Sequence, residues 1–492
     1  MQTLRKVKIV ATIGPSSESY ENLEKLIRAG MNVARLNFSH GTHEQHKKVI
    51  HNIRDISKKL HVEVAILQDL QGPKVRVGKF EGGKAELVAG ETVVVTTKDI
   101  LGNSKLIPTD VKTLPADVKI GSRILINDGL LELKVLSTNQ KDEITAEVVY
   151  GGKISDRKGI NVPDVRLSLD CMTTKDIKDL EFGLEHNVDY IALSFVRTAN
   201  DIISLRQRIH DFGKTTKIIS KIEMLEAIQN LTNIVRASDA VMVARGDLAT
   251  EVGQSLLPGL QKKIIKEANY WKRPVITATQ MLESMVDNPL PTRAEVTDVA
   301  NAVLDGTDAI MLSAETASGK YPEKCIQTMS EIALAVEADQ LGFYKFNDNK
   351  KWNFISESIA ESACVTAKKL DASAIICLST TGKTATFISS FRPKSPVISV
   401  THVEEGLTSL QLAWGVYTLR IPQYQTGEQA MEFVEAQLLK YEIVKPGEKL
   451  IVTLGMPIAS RAKTNALRVH VVRDLDNTNS KDEFVPFRFQ KK

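Results

Sequence analysis

The chain has 492 residues, a net charge of +4 and 42% apolar residues. A single core stops growing at about 250–300 residues, so this length calls for more than one domain. The small, dispersed charge makes no case for nucleic acid, and no apolar run approaches the roughly 20 residues of a membrane span. Cys171, Cys325, Cys364 and Cys377 form no Cys-x-x-Cys pair, which argues against a zinc site or a disulfide framework. A strand begins too close to Met1 for a secretory leader, so the expectation is a cytoplasmic protein with no membrane partner.

Residues 7–13 read as a strand, and Gly14-Pro15-Ser16 turns the chain into an amphipathic helix ending at Ala29-Gly30. A second strand, 32–36, leads through Asn37-Phe38-Ser39-His40-Gly41 into a polar helix that runs to about Leu60. The third strand, 64–67, ends on Gln68-Asp69, and the rhythm breaks at Gly72-Pro73. From there to about Ser168, valine-rich alternating segments at 92–97, 123–126, 130–136 and 144–149 are joined by turn signals, including the hairpin signal Asn127-Asp128-Gly129. This predicts an inserted all-β domain over 72–168, with Gly72-Pro73 and Asn161-Val162-Pro163 as its stalks.

The β-α series then resumes, with strands at 190–194, 217–222, 240–244, 275–278 and 309–312. Helices are readable at 174–186, 201–211, 225–236, 254–270 and 293–304. Eight strands, apolar on both faces and alternating with helices, predict a parallel (β/α)8 TIM barrel built from 1–71 and 169–347. Residues 348–492 read as a separate C-terminal α/β domain: helix 357–369, strand 374–378, a loop, helix 384–391, strands 397–400, 450–453 and 469–472, then a polar tail after Asp474.

In such a barrel the active site lies at the C-terminal ends of the strands. Those positions hold Thr12, Arg35 with Asn37 and Ser39, Asp69, Ser194, Lys221 with Glu223, Arg245-Gly246-Asp247, Thr277 with Thr279, and Ser313 with Glu315. One polar strand end is ordinarily a solvated terminus, but polar groups on every strand of one ring predict a site. Lys221 and Glu223, two residues apart at a strand end, point the same way. Glu223 and Asp247, on neighbouring strands and without a histidine or cysteine cluster, suggest a divalent cation held by oxygen, Mg2+ or Mn2+. Lys221 and Arg35 suit an anionic, phosphorylated substrate, and the amides of Gly246 and Asp247 can hold a carboxylate as a helix N-terminus does. With no obvious general base, the set fits phosphoryl transfer or enolate chemistry.

The segments 31–41 (MNVARLNFSHG), 69–76 (DLQGPKVR), 220–223 (SKIE), 243–248 (VARGDL), 279–285 (TQMLESM), 291–295 (PTRAE), 299–306 (VANAVLDG) and 310–316 (IMLSAET) together resemble the pyruvate kinase family. The likeness runs in order over almost the whole chain. It implies a barrel carrying a β-barrel lid domain and a C-terminal domain for effectors and oligomerisation, in a homotetramer. The implied reaction transfers the phosphoryl group of phosphoenolpyruvate to ADP, giving pyruvate and ATP in the last step of glycolysis. By position, the resemblance assigns Arg35, Lys221, Gly246, Asp247 and Thr279 to phosphoenolpyruvate, and Glu223 and Asp247 to the divalent metal. Lys221 would meet the moving phosphoryl group, and Thr279, Ser313 or a water relay would protonate the enolate. Asn37, Ser39, His40, Arg76 and Lys158 would bind the nucleotide, with which a second Mg2+ arrives. The rival on the same barrel, a metal-dependent lyase or aldolase of pyruvate enolate, would need neither the lid with Arg76 and Lys158 nor the C-terminal domain.

Several positions depart from the family pattern. Potassium-dependent members place a monovalent cation near Asn37, Ser39 and Asp69, with a threonine after the aspartate and a glutamate in the Gly-Pro-Glu triplet. Here those positions are Leu70 and Lys74. A lysine ammonium can take the place of the cation, so the expectation is an enzyme that works without K+. Ala249 replaces a glycine, which is tolerated if the backbone there is helical. Thr380, Thr381, Gly382, Lys383 and Thr384 form a candidate phosphate cradle for a phosphorylated allosteric effector, opposite the loop 455–464 with Arg461 and Lys463. Cys377 stands where a hydrolysing P-loop needs glycine. His40, His43, His46 and His51 are expected to be solvated helix surface rather than a metal cluster.

Overall fold

The structure, a computed structural model, describes residues 4–127, 129–163, 165, 170–339, 354–379, 381–403, 405–457 and 463–473. Eight parallel strands close a barrel: β1 (Lys8–Ile13), β2 (Val33–Asn37), β3 (Ala65–Asp69), β4 (Tyr190–Leu193), β5 (Lys217–Ile222), β6 (Ala240–Ala244), β7 (Val275–Ala278) and β8 (Ala309–Leu312). Each pairs with its sequence neighbours, and β8 closes on β1. Alternate residues of one strand serve two cores. Val10, Val33, Leu67, Ile219, Met242, Ile276 and Met311 fill the barrel interior. Ile9, Ala11, Ala34, Ile66, Ile218, Val241 and Ile310 pack outward against the helices. Both faces are dry, so the strands read as unbroken apolar runs.

Register sets the neighbours at the mouth. Arg35 lies beside Thr12 on one side, and Asn37 beside Asp69 on the other. The predicted helix over 225–236 is two helices, Leu225–Gln229 and Leu231–Ala237, broken at Asn230. The Asn230 amide there donates to the Arg197 carbonyl at 3.1 Å.

The insertion leaves after β3 and returns before helix Thr174–Glu185. It holds a six-stranded sheet, in the order Ile160–Asn161, Arg123–Ile126, Leu131–Thr138, Glu143–Tyr150, Thr92–Thr96 and Leu106–Pro108, and a ribbon of Lys84–Leu87 with Gly152–Ser155. Val93, Val95, Ile107, Leu133 and Ile144 belong to its separate core. Asn127 (φ 55°) and Gly129 (φ 85°) take the left-handed conformations of the expected hairpin turn, and Asp128 lies outside the described residues.

In the C-terminal domain, Val416–Arg420, Val397–Thr401, Ala374–Leu378 and Lys449–Leu454 are parallel, and Ala466–Val471 adds antiparallel at the edge. Strand Val416–Arg420 and helix Gly427–Lys440 went unread in the sequence. This domain meets the floor of the barrel, away from the mouth. There Arg392 pairs with Asp308 at 2.8 Å, and the Lys8 ammonium donates to the Val416 carbonyl at 2.6 Å. Among the described residues no helix is long and apolar enough to cross a membrane. Thr380, Arg461, the 347/348 boundary and the tail after Asp474 lie outside the described residues.

Candidate active site

At the end of β5, the Lys221 ammonium sits 2.9 Å from Glu223 Oε1 and 3.3 Å from Asp69 Oδ1, and donates to Ser194 Oγ at 2.7 Å. The other Glu223 oxygen accepts the Phe195 N–H at 2.7 Å. From β2, Arg35 donates to Asp69 Oδ2 at 2.7 Å and to Thr12 Oγ1 at 2.9 Å. Asp69 and Glu223 are each about 1% exposed, so the network is dry. Burial alone would discharge it. For Lys221, burial lowers the pKa, but Asp69 and Glu223 outweigh it and the ammonium is raised above its ordinary value. Burial likewise works against the Asp69 carboxylate, yet Lys221 and Arg35 hold it below the usual range. Glu223 goes the other way: burial and the nearby Asp247 raise its carboxyl against the pull of Lys221.

Helix α1 (Arg245–Val252) opens directly after β6 and brings Gly246 and Asp247 to the same mouth. The Gly246 N–H donates to Thr279 Oγ1 at 3.0 Å. Thr279 has φ 69° and Gln280 φ 53°, left-handed conformations that cost on the order of 1–3 kcal/mol each at such residues. The strain is held by Arg245, whose guanidinium donates to the Ala278, Thr279 and Gln280 carbonyls at 3.2, 2.5 and 3.1 Å and pairs with Asp298 at 2.8 Å. Arg245 was visible in the sequence as a strand-end residue; its part in shaping Thr279 was not. Ala249 lies within α1, where a helical backbone accepts alanine without strain.

From the lid stalk, the Lys74 ammonium reaches Asp247 Oδ1 at 3.2 Å. Leu70 is buried, and the oxygens of Asp69 face Arg35 and Lys221. Arg76 and Lys158 lie on adjacent stalk segments, joined by the isolated bridge between Arg76 and Gly159 and the bond from the Val77 N–H to the Lys158 carbonyl. The loop bearing Asn37, Ser39 and His40 folds on itself: the Ser39 N–H donates to Asn37 Oδ1, and Lys175 donates to the Phe38 carbonyl at 2.6 Å.

His40, His43 and His51 are exposed, as expected, while His43 and the half-buried His46 also find partners. His46 stacks on Phe38 with ring centroids 4.1 Å apart, and its Nε2 lies 2.9 Å from the His40 carbonyl. His43 pairs with Asp179 at 2.7 Å and stacks on Phe182. Helix spacing alone could not foresee the His43–Asp179 pair, which spans 136 residues.

Two strand-end residues leave the site. Thr277 is fully buried and bonds Thr307, while Glu315 is buried and accepts the N–H groups of Leu282 and Ser313. The Ser313 hydroxyl is buried and has no hydrogen-bond partner among the described residues. Far from the mouth, Gly382 (φ 68°) caps helix α2 (Lys383–Ser390), and Thr384 bonds Thr464, so the two loops of the expected effector cradle do meet. Thr381 and Lys383 are exposed there.

Glu223 and Asp247 are two interacting carboxylates, and a dry Glu223 whose carboxyl is raised by burial and then by Asp247 is the pattern a bound cation would relieve. Among the described residues no group of three or more His, Cys, Asp or Glu could hold a metal ion. The oxygen donors of the pair fit a hard divalent cation, which can take one or two protein carboxylates and complete its shell from substrate and water.

Comparisons with known proteins identify the family and the fold. The family model described as "Pyruvate kinase, barrel domain" matches residues 4–326, and "Pyruvate kinase, alpha/beta domain" matches residues 357–470. The pyruvate kinase of Geobacillus stearothermophilus is 43% identical over 96% of this chain and 81% of its own length. That of Staphylococcus aureus (strain USA300) is 42% identical, with the same coverage. Among solved structures, a pyruvate kinase from Cryptosporidium parvum superposes with TM-score 0.89 at 39% identity, covering 95% of this chain and 96% of its own.

Proposed function

Since the chain belongs to the pyruvate kinase family, we propose how its own residues carry the phosphoryl group from phosphoenolpyruvate to ADP. The observation that carries the reading is the buried Lys221 ammonium, held between Glu223 and Asp69 at the mouth. Lys221, kept charged by that pair, stands ready for the negative charge that spreads over the transferring group and then over the enolate oxygen. Arg35, oriented by Asp69 and Thr12, holds a substrate phosphate oxygen. The Gly246 N–H and the Thr279 hydroxyl, already joined, receive the substrate carboxylate. Asn37, Ser39 and His40 from the barrel, with Arg76 and Lys158 from the lid, hold the nucleotide.

Glu223 and Asp247 would hold the divalent ion, Mg2+ or Mn2+, which when bound neutralises charge on the substrate oxygens. The proton delivered to the enolate carbon comes from Thr279, whose hydroxyl accepts from the Gly246 N–H and donates to the Ala278 carbonyl, from Ser313, or through a water relay. The lyase reading loses its ground, because the likeness extends through the C-terminal domain for which that reading has no use.

Three finer points belong to the same proposal. Lys74 supplies the charge that a monovalent cation gives elsewhere in the family, so turnover needs no K+; its reach to Asp247 supports this. The cradle of Thr381, Gly382, Lys383 and Thr384, with neighbouring Thr380, receives a phosphorylated effector. The enzyme works as a homotetramer in the cytoplasm. The test of the main reading is an assay coupled through lactate dehydrogenase, with phosphoenolpyruvate, ADP and Mg2+. Turnover that stops on chelation supports it, and no pyruvate formed from these substrates would refute it.

A further inference from the structure

Helix α3, named here for the segment Thr174–Glu185 that follows the lid, opens with a capping box in which Asp176 Oδ2 accepts the Thr173 N–H at 2.8 Å and the Thr173 hydroxyl at 2.6 Å. That satisfies the helix end with one oxygen. The other oxygen, Oδ1, accepts the N–H of Gly72 at 3.0 Å, 104 residues away, and Asp176 is fully buried. Gly72 is where the chain leaves the barrel for the lid. It has φ 69°, and a Cβ there would lie 2.9 Å from both Ser194 and Phe195, so no other residue fits without displacement.

Those neighbours are the residues that touch the catalytic pair: Ser194 accepts from Lys221, and the Phe195 N–H donates to Glu223. Two residues beyond Gly72, Lys74 reaches Asp247, and four beyond it stands Arg76. The next residue of the helix before Asp176, Lys175, donates to the Phe38 carbonyl of the Asn37–His40 loop, and Asp179 pairs with both Lys175 and His43. The first turns of this helix, with Asp176 and Asp179 buried and Lys175 exposed, thus hold the root of the lid and the Asn37–His40 loop.

We propose that Asp176 is a positioning residue that sets the lid root at Gly72, and through it the placement of Lys74 and Arg76 over the site. The inference rests on the reading that Arg76 and Lys158 contact the nucleotide. The test compares wild type with Asp176→Ala, the same-shaped Asp176→Asn, and the control Asp201→Ala. In the control, Asp201 caps its own helix through the Arg197 and Thr198 N–H groups and, among the described residues, makes no hydrogen bond to residues 72–78.

Amide exchange over residues 72–78, measured without substrate, should speed up in Asp176→Ala and remain as wild type in Asp201→Ala. The KM for ADP should rise about tenfold in Asp176→Ala, while the KM for phosphoenolpyruvate stays within twofold. Asp176→Asn should move both readouts the same way by less, and it carries the test if the alanine variant does not fold. Wild-type exchange at 72–78, or equal rises in both KM values, would overturn the proposal, the second marking Asp176 as a helix cap and no more. A wild type without phosphoryl transfer would sink the nucleotide reading instead, and the exchange data would still judge Asp176.

Discussion

Replacing Lys74 tests how charge is balanced at the mouth. Its ammonium stands 3.2 Å from Asp247 Oδ1, with the two side chains 29% and 27% exposed. At that separation a unit pair is worth about 1 kcal/mol in water and about 5 kcal/mol at an effective dielectric of 20. Partial exposure draws the value toward the lower end. A loss of about 1.4–2.8 kcal/mol corresponds to a 10- to 100-fold slower reaction. Lys74→Glu reverses the charge beside Asp247 and Glu223, so it should lose rate within or beyond that range in K+-free buffer and recover several-fold in about 0.1 M KCl. Tetramethylammonium chloride at the same ionic strength controls for screening, which acts over about 10 Å at that salt. Wild type should change less than twofold between the two salts. A wild type that slows more than tenfold without K+, or a Lys74→Glu enzyme indifferent to K+ at the wild-type rate, would refute the reasoning.

Lys221→Met leaves Glu223 and one oxygen of Asp69 buried without their counter-ion, a loss of about 3–5 kcal/mol for a broken buried pair, eased by Arg35 on Asp69. Thermal unfolding should register it, and phosphoryl transfer should fall by at least about 10²–10³-fold while metal-dependent substrate binding persists; near-normal turnover would remove the role given to Lys221. Because burial and Asp247 raise the Glu223 carboxyl above its ordinary 4.5, protons compete there with the metal. Mn2+ affinity, followed by electron paramagnetic resonance, should therefore begin to weaken at a pH above that ordinary value as the pH is lowered, and an affinity that stays flat down to it would contradict the assignment. At the barrel floor, burial first and then Arg5 lower the Lys8 ammonium from 10.5 to about 7. Between those values the unfolded chain binds the extra proton, so this lysine makes stability rise with pH, on the order of 1 kcal/mol per unit. The wild-type melting temperature should gain on that of Lys8→Met between pH 7 and 9, and parallel profiles would show that Lys8 is not the titrating group.

The barrel was legible because its strands carry their environment locally. Each is apolar on both faces and stops at a polar residue, a pattern contained within six or seven positions. The shortest lid strands, Ile160–Asn161 and Leu106–Pro108, have too few residues to show alternation, and they exist only through their partners. The residues of the mouth were legible as a set, from Arg35 on β2 to Thr279 after β7. Their division of labour was not. Thr277 and Glu315 look like site residues on the chain, but in the fold their polar atoms are spent on Thr307, Leu282 and Ser313.

From the sequence alone come the family, the three-part architecture and the placing of Lys221, Glu223, Asp247 and Arg35 at strand ends, because periodicity and short motifs are properties of neighbouring residues. The tertiary structure alone decided the pairings: Asp69 between Arg35 and Lys221, Arg245 holding the strained Thr279, His46 against Phe38, and Asp176 on Gly72. Most of these join residues from different strands and helices, where closure of the ring fixes register and direction. Only then does a buried charge have a particular partner to satisfy it.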